Sequence, residues 1–260
     1  MKKFGSIFIV LPVIFAAFGA QAATLVEMKD NTGQLQRFYI GEQMARWDTD
    51  DAGGYMLIEM NGTRIYNVDP RSKMISEINT AEFSGSTKKS TGPGKLTSLG
   101  GGPKVAGYAT EKYSLSADGT LCSEVYLSKE AFKVKGIRKM WDVMGDMAER
   151  ATAMAERFAS TPQDPCDQAD ETMMAKLVDL GMPMRSIDNN GVLESEIARI
   201  NEGEETPPGF FDLPEDYKRM DMNAQMRAIE QMNSQLPSPE QMMNMTDEQR
   251  QQMIIDIMGK

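Results

Sequence analysis

The chain has 260 residues, with 28 Lys and Arg against 38 Asp and Glu, two cysteines, 23 methionines and no histidine, and 41% of it is apolar. Without an imidazole it lacks the base of serine–histidine and cysteine–histidine hydrolases and the usual ligand of catalytic zinc, haem and copper sites. A net charge of -10 argues against nucleic acid or an anionic membrane surface as partner, because phosphates demand a basic stripe.

Lys2 and Lys3 precede an apolar run from Phe4 to about Ala20, and Ala20, Gln21 and Ala22 follow with an A-x-A cleavage pattern. This is the form of a secretory signal peptide over residues 1–22. Pro12 and the shortness of the run argue against a membrane anchor, and no cysteine follows the cleavage point to take a lipid. Loss of the two lysines takes the net charge from -10 to -12. The mature protein is expected in an oxidising, periplasm-like space with no transmembrane segment. There, Cys122 and Cys166 are expected to form a disulfide, since no CxxC spacing supplies a redox-active thiol.

From Thr24 to Lys129 short alternating segments separated by turn residues predict an antiparallel meander. "LVEMKD" meets "LQRFYI" across Asn31–Gly33, "QMARWDT" runs to a turn at Asp50–Gly54, and "YMLIEM" and "RIYNV" flank Asn61-Gly62, read as a type I′ hairpin. "KMISEI" follows Asp69-Pro70. Residues 81–104, rich in Gly, Ser, Thr, Lys and Pro, read as a mobile surface loop. Gly100, Gly101 and Gly102 do not make a phosphate loop, because Pro103 and a strand stand where a lysine, a hydroxyl residue and a helix are needed. Two long strands are predicted next, "VAGYATEKYSLSA" and "TLCSEVYLSK", joined at Asp118-Gly119.

Over 137–159, Ile137, Met140, Trp141, Met144, Met147, Ala151, Met154 and Phe158 recur at spacings of three and four, the stripe of an amphipathic helix. A second helix is predicted over about 168–180, ending at Gly181. Two more strands, "MPMRSID" and "VLESEIARI", and an extended "FFDLPEDYKRM" lead into a tail, residues 221–260. Its two helices carry Met222, Met226, Ile229 and Met232, then Met253, Ile254, Ile257 and Met258, separated by Leu236–Pro239. Thr246 and Gln249 make a capping box for the second. With about four large apolar side chains each, these helices are expected to dock weakly.

Seventeen of the 23 methionines lie between Met140 and Met258. Thioether clusters bind copper(I), but methionine also fills irregular apolar faces and adaptable binding surfaces, and the helical spacing favours the second role. No cofactor or metal is therefore assigned. The acidic pairs Glu204-Glu205 and Asp50-Asp51 lie in turn contexts, and no nucleophile elbow or Ser-x-x-Lys set is present, so no catalytic residue is assigned and no enzyme is expected. Trp47 on an early strand and Trp141 on the long helix could share an interior that is either a solid core or a lipid-accommodating cavity.

The signal peptide, the meander, the hairpin "GYATEKYSLSADGTLCSEVYLSK", the G-x-P step at Gly181 and Pro183 and the closing "FDLPEDYK" resemble the LolA/LolB-like periplasmic lipoprotein-carrier superfamily over residues 24–220. They are closest to its uncharacterised secreted relatives. The resemblance implies an α+β fold: an incomplete antiparallel barrel, or half-barrel, covered by amphipathic helices over residues 23–220, here followed by the helical tail. It also implies a non-enzymatic protein holding a lipid or other hydrophobic ligand in an apolar concavity, with Trp47, Met56, Ile58, Met140, Trp141 and Met144 as ligand-binding residues. No motif fixes the carriers' acyl-binding arginine; Arg46 is a candidate position. "MTDEQRQQM" at 245–253 is similar to the Leu-Thr-x-x-Gln motif of small helical periplasmic chaperones of the Spy/CpxP kind, with methionine for leucine. That likeness implies an alternative role, chaperone-like or protein-binding, through the methionine-rich tail.

Overall fold

A computed structural model of the chain describes residues 21–48, 53–83, 94–158 and 164–235, together with Thr246 and Gln249. Residues 1–20 of the expected leader, 1–22, lie outside them, and its last two residues, Gln21 and Ala22, are the first of β1. The strands are β1 (Gln21–Asp30), β2 (Leu35–Ile40), β3 (Met44–Asp48), β4 (Tyr55–Glu59), β5 (Arg64–Asp69), β6 (Met74–Asn79), β7 (Gly94–Gly101), β8 (Glu111–Ala117), β9 (Thr120–Ser128), β10 (Met182–Asp188), β11 (Leu193–Thr206) and β12 (Lys218–Asp221). The helices are α1 (Ile137–Phe158), α2 (Pro165–Leu180) and α3 (Met222–Gln235). All twelve strands join one open sheet in the order β12-β6-β5-β4-β3-β2-β1-β11-β10-β9-β8-β7, antiparallel except for β12 against β6.

Successive side chains of a strand point to opposite faces, and the first half of the sheet is apolar on both. On one face, Val26, Ile40, Ala45, Ile58 and Met60 are buried with Ile137 and Met140 of α1; this is the inner face. On the other, Tyr55, Leu57, Tyr66, Val68 and Ile75 pack beneath Phe210, Phe211, Leu213 and Tyr217 of the segment before β12. The expected extended "FFDLPEDYKRM" thus forms a strand only in its last residues, and its aromatic part is a cover for the outer face. α2 covers the far end of the sheet, where Ala169 meets Leu115, Ala117 and Cys122, and Leu177 meets Tyr113, Val125 and Leu127.

Two glycines set where the helices enter. A Cβ on Gly136, whose φ is +82°, would lie 2.8 Å from Ile40 Cγ2, and one on Gly181 would lie 2.8 Å from the Ser128 carbonyl carbon. The first lets α1 start hard against β2; the second lets the chain leave α2 against β9 and enter β10. The start of α1 is also tied by the Thr24 hydroxyl, which donates to Lys135 O at 2.9 Å, and by Lys135 N, which donates to Glu202 Oε1 at 3.2 Å.

Three local expectations are corrected. Part of the glycine-rich stretch read as a loop is the edge strand β7, whose side chains are mostly exposed; an edge strand needs no apolar alternation, and the bulge between Ser98 and Gly100 blunts it against further pairing. Neither Asn61 nor Gly62 has a positive φ, so the β4–β5 hairpin turns through a longer loop than a type I′ pair, whereas Asp118 and Gly119 (φ +50° and +84°) do form one. β8 begins at Glu111, not Val105, because residues 105–108 fold into a tight turn of their own.

The first tail helix makes polar contacts with the sheet end beside its apolar ones. Asn223, 2% exposed, accepts from Asn79 N at 2.8 Å and donates to Asn79 O at 2.9 Å, and Arg227 pairs with Glu82. A polar lock of this kind is invisible to a count of apolar side chains. The expected boundary at 220/221 falls inside β12. Residues 236–245 lie outside the described residues, but Thr246 N donates to Gln249 Oε1 at 2.9 Å and Gln249 N to Thr246 Oγ1 at 3.3 Å, the reciprocal bonds of the expected capping box.

Cys122 and Cys166 are bridged, with Cα atoms 5.3 Å apart and a sequence separation of 44. Cys166 lies in the first turn of α2, where Asp164 caps the helix by accepting from Cys166 N at 2.8 Å. The bond therefore fixes that end of α2 to β9. A Cys122→Ala, Cys166→Ala variant should lose about 2–5 kcal/mol of stability, measured by urea unfolding; an unchanged midpoint would contradict the bridge's role.

The titration of the fold follows from its hydrogen bonds. Asp30, Asp69, Asp188 and Asp216 are held below the ordinary carboxylate value of 3.8, chiefly by the Thr32 hydroxyl, the Ser72 hydroxyl, the Val192 amide and the Lys73 ammonium respectively. Burial holds Tyr39, Tyr55, Tyr66 and Tyr113 above 10.0. A depressed carboxylate stabilises the fold above its unfolded pKa and ceases to do so as pH falls through the folded value. A raised phenol stabilises below its unfolded pKa and ceases to as pH rises. With no histidine between them, the urea midpoint should be flat from about pH 5 to 8 and fall below about 4 and above about 10. A sigmoidal change near pH 6.5 would contradict this.

Candidate functional site

The hydrogen-bond register lines up the inner-face side chains in rows that cross the sheet. Ile200, Val26, Phe38, Trp47 and Met56 form one row over β11, β1, β2, β3 and β4. Thr24, Ile40, Ala45, Ile58, Ile65 and Ile78 form the next, over β1 to β6. α1 lays Ile137 and Met140 into this face, while Trp141, Val143, Met144 and Met147 pack at its margin. Arg138, Lys139 and Asp142 stay on the helix's exposed side, and Arg138 pairs with Asp142 one turn on at 2.9 Å and with Asp179 of α2 at 3.5 Å.

The six residues expected to bind ligand therefore share one face, at two depths. Ile58 and Met140 are fully buried and belong to the core proper; Met56, Trp141 and Met144 are partly buried against it. Trp47 is half-buried and stacked on Phe38, with ring centroids 4.9 Å apart and an interplanar angle of 22°. Its indole Nε1 is buried and has no hydrogen-bond acceptor among the described residues. A buried donor left unpaired costs about 1–3 kcal/mol, and among the described residues this is the one buried side-chain nitrogen or oxygen without a partner.

Arg46 is on the opposite face. It stacks over the Tyr55 ring at 3.7 Å and the Phe210 ring at 4.2 Å, donates from Nε to Asp48 at 2.8 Å and from Nη1 to Phe210 O at 3.1 Å. It thus clasps the aromatic cover to the outer face and cannot serve the inner one. Strand periodicity gives the reason: Trp47 points inward, so its neighbour points out.

Residues that sequence reasoning missed complete the inner face. The 105–108 turn sends Val105, Ala106 and Tyr108 into the same cluster, and β10 adds Met182 and Met184. Ala106 and Gly107, both at positive φ (+47° and +87°), are the central pair of a two-residue turn closed by reciprocal Val105 and Tyr108 backbone bonds. Its one sequence signal was the Ala-Gly pair before Tyr108. Phe38 could have been found, since pairing it with Trp47 needs only the strand register.

Among the described residues there is no group of three or more acidic, cysteine or histidine side chains placed to hold a metal ion. None of their helices is long and apolar enough to cross a membrane. Among the described residues, the inner face gathers soft apolar surface from methionines and aromatic rings, with the buried Trp47 N–H on the same face.

The profile of a domain of unknown function, DUF4412, matches residues 24–217, which spans β1 through the aromatic cover of the outer face. The chain belongs to the DUF4412 family. No curated protein matches it. Among solved structures, it is similar to an uncharacterized conserved protein from Thermus thermophilus, at 8% identity and TM-score 0.40, over 77% of this chain and 91% of that one. It is similar also to PNGF-II, at 13% identity and TM-score 0.39, over 81% of this chain and 33% of that one. MucB matches at 10% identity and TM-score 0.35, over 78% of this chain and 60% of that one. At such scores these likenesses assign no role to the DUF4412 domain.

Proposed function

We propose that this DUF4412 protein is an exported, periplasmic, non-enzymatic binding protein that holds a lipid or other hydrophobic ligand between α1 and the inner face of the sheet. The sheet would act as a half-barrel of the LolA/LolB-like kind, with cleavage after Ala22 leaving Ala23 to begin β1. One observation carries the reading: Met56 of the sheet and Trp141, Met144 and Met147 of the amphipathic helix α1 are packed against the inner-face core yet only partly buried. Methionine side chains adapt their shape at little cost, and partly buried aromatic and thioether surface is what an apolar ligand covers. The disulfide suits an oxidising compartment. The tail carries the second reading, a chaperone-like or protein-binding role, through the Thr246–Gln249 cap of its similarity to the Leu-Thr-x-x-Gln motif.

Binding of the fluorescent apolar probe N-phenyl-1-naphthylamine separates the two. The full chain and a form ending at Gln235, which keeps α3 and its Asn223 lock, should take up the probe with equal affinity. Met144→Trp, which adds bulk at the margin, should weaken uptake by about tenfold, the equivalent of 1.4 kcal/mol. No saturable uptake by either form would overturn the binding reading, and uptake lost with the tail would transfer the function to residues 236–260.

A further inference from the structure

We propose that the Trp47 indole N–H is the polar anchor of the inner face, donating to the uncharged carbonyl oxygen of an acyl ester whose hydrocarbon chain lies against Met56, Trp141 and Met144. This deepens the binding reading above and rests on it. Nε1 is buried yet has no acceptor among the described residues, and buried polar groups in native proteins are nearly always paired. A ring needed only for packing would be served by phenylalanine, which carries no such donor. The stack on Phe38 and the register with Met56 hold the indole plane, so the direction of the N–H is set by the sheet rather than by a free side chain.

The chemistry of the partner follows from the donor and its surroundings. An indole nitrogen donates and does not accept, so the ligand must present an acceptor atom with a free lone pair, which a carbonyl oxygen supplies. The row neighbours Phe38 and Met56 are apolar, and the adjacent cation, Arg46, is turned to the outer face and engaged by Asp48 and Phe210. A carboxylate at Trp47 would be desolvated without this counter-charge, whereas an ester carbonyl would not be penalised in that way. A pure hydrocarbon would leave the N–H as it is.

The test uses the whole protein labelled with 15N and three probes: methyl oleate, oleate and N-phenyl-1-naphthylamine. The chain has two indole signals, assigned with Trp47→Phe and Trp141→Phe. Methyl oleate should shift the Trp47 indole proton downfield and slow its exchange with solvent, and the naphthylamine should do neither. Trp47→Phe should bind methyl oleate about three- to tenfold more weakly, a larger loss than the same variant shows for the naphthylamine. An unmoved Trp47 signal in the methyl oleate complex, equal loss for both probes in Trp47→Phe, or oleate binding more tightly than methyl oleate would each overturn the anchor while leaving the binding reading in place. Uptake of none of the three by the native protein would remove both. The spectral readout on native protein keeps the proposal testable if the variant folds poorly.

Discussion

The contact of Ile137 and Met140 with Ile40, Ala45 and Ile58 is the interaction on which the other features of this molecule depend. Burial of each such side chain contributes about 1.5–3 kcal/mol, and these residues come from a helix and from strands distant in sequence. Gly136 permits the approach by offering no Cβ to Ile40. Once α1 lies there, its next turn must carry Trp141, Met144 and Met147 along the same face, where they are only partly covered. The apolar margin that we assign to a ligand is thus a geometric consequence of the core, since Trp141, Met144 and Met147 follow Ile137 and Met140 along the same helix.

The sheet bears this load because both of its faces are covered where the strands are most apolar. The outer face is closed by Phe210, Phe211 and Tyr217, and Arg46 makes that closure specific by hydrogen-bonding the Phe210 carbonyl from between two rings. The disulfide secures α2 at one end of the sheet, and β12 with Asn223 secures α3 at the other. Among the described residues, the inner face beneath α1 is where partly buried aromatic and thioether side chains and a buried donor without a partner occur on one face.

Much of this was legible in the chain. The alternating segments before Lys129 appear as strands, and the three-and-four spacing from Ile137 appears as α1, because each pattern expresses a single buried face. The run Tyr55-Met56-Leu57-Ile58 has no polar member, which signals a strand buried on both sides, although nothing local says that residues 207–217 supply the second cover. The unread parts were those whose reason lies elsewhere in the fold. β7 looks like a loop because an exposed edge imposes no apolar alternation; Arg46 was set apart from Trp47 only by register. Asn223 holds α3 through a partner 144 positions away, and Val105 joins the core because of a turn whose residues are ordinary in composition. Of the candidate site, the aromatic and methionine members were visible as residues, and their union on one face was not, because it depends on strand order.

The central claim, that the face beneath α1 holds a hydrophobic ligand, is tested most directly by native mass spectrometry of the protein purified without detergent. The account predicts a species heavier than the protein chain by the mass of one lipid-sized molecule, released by denaturation and recovered as an acyl compound in the organic extract. A spectrum containing the protein chain alone, unchanged after incubation with lipid vesicles, would contradict it.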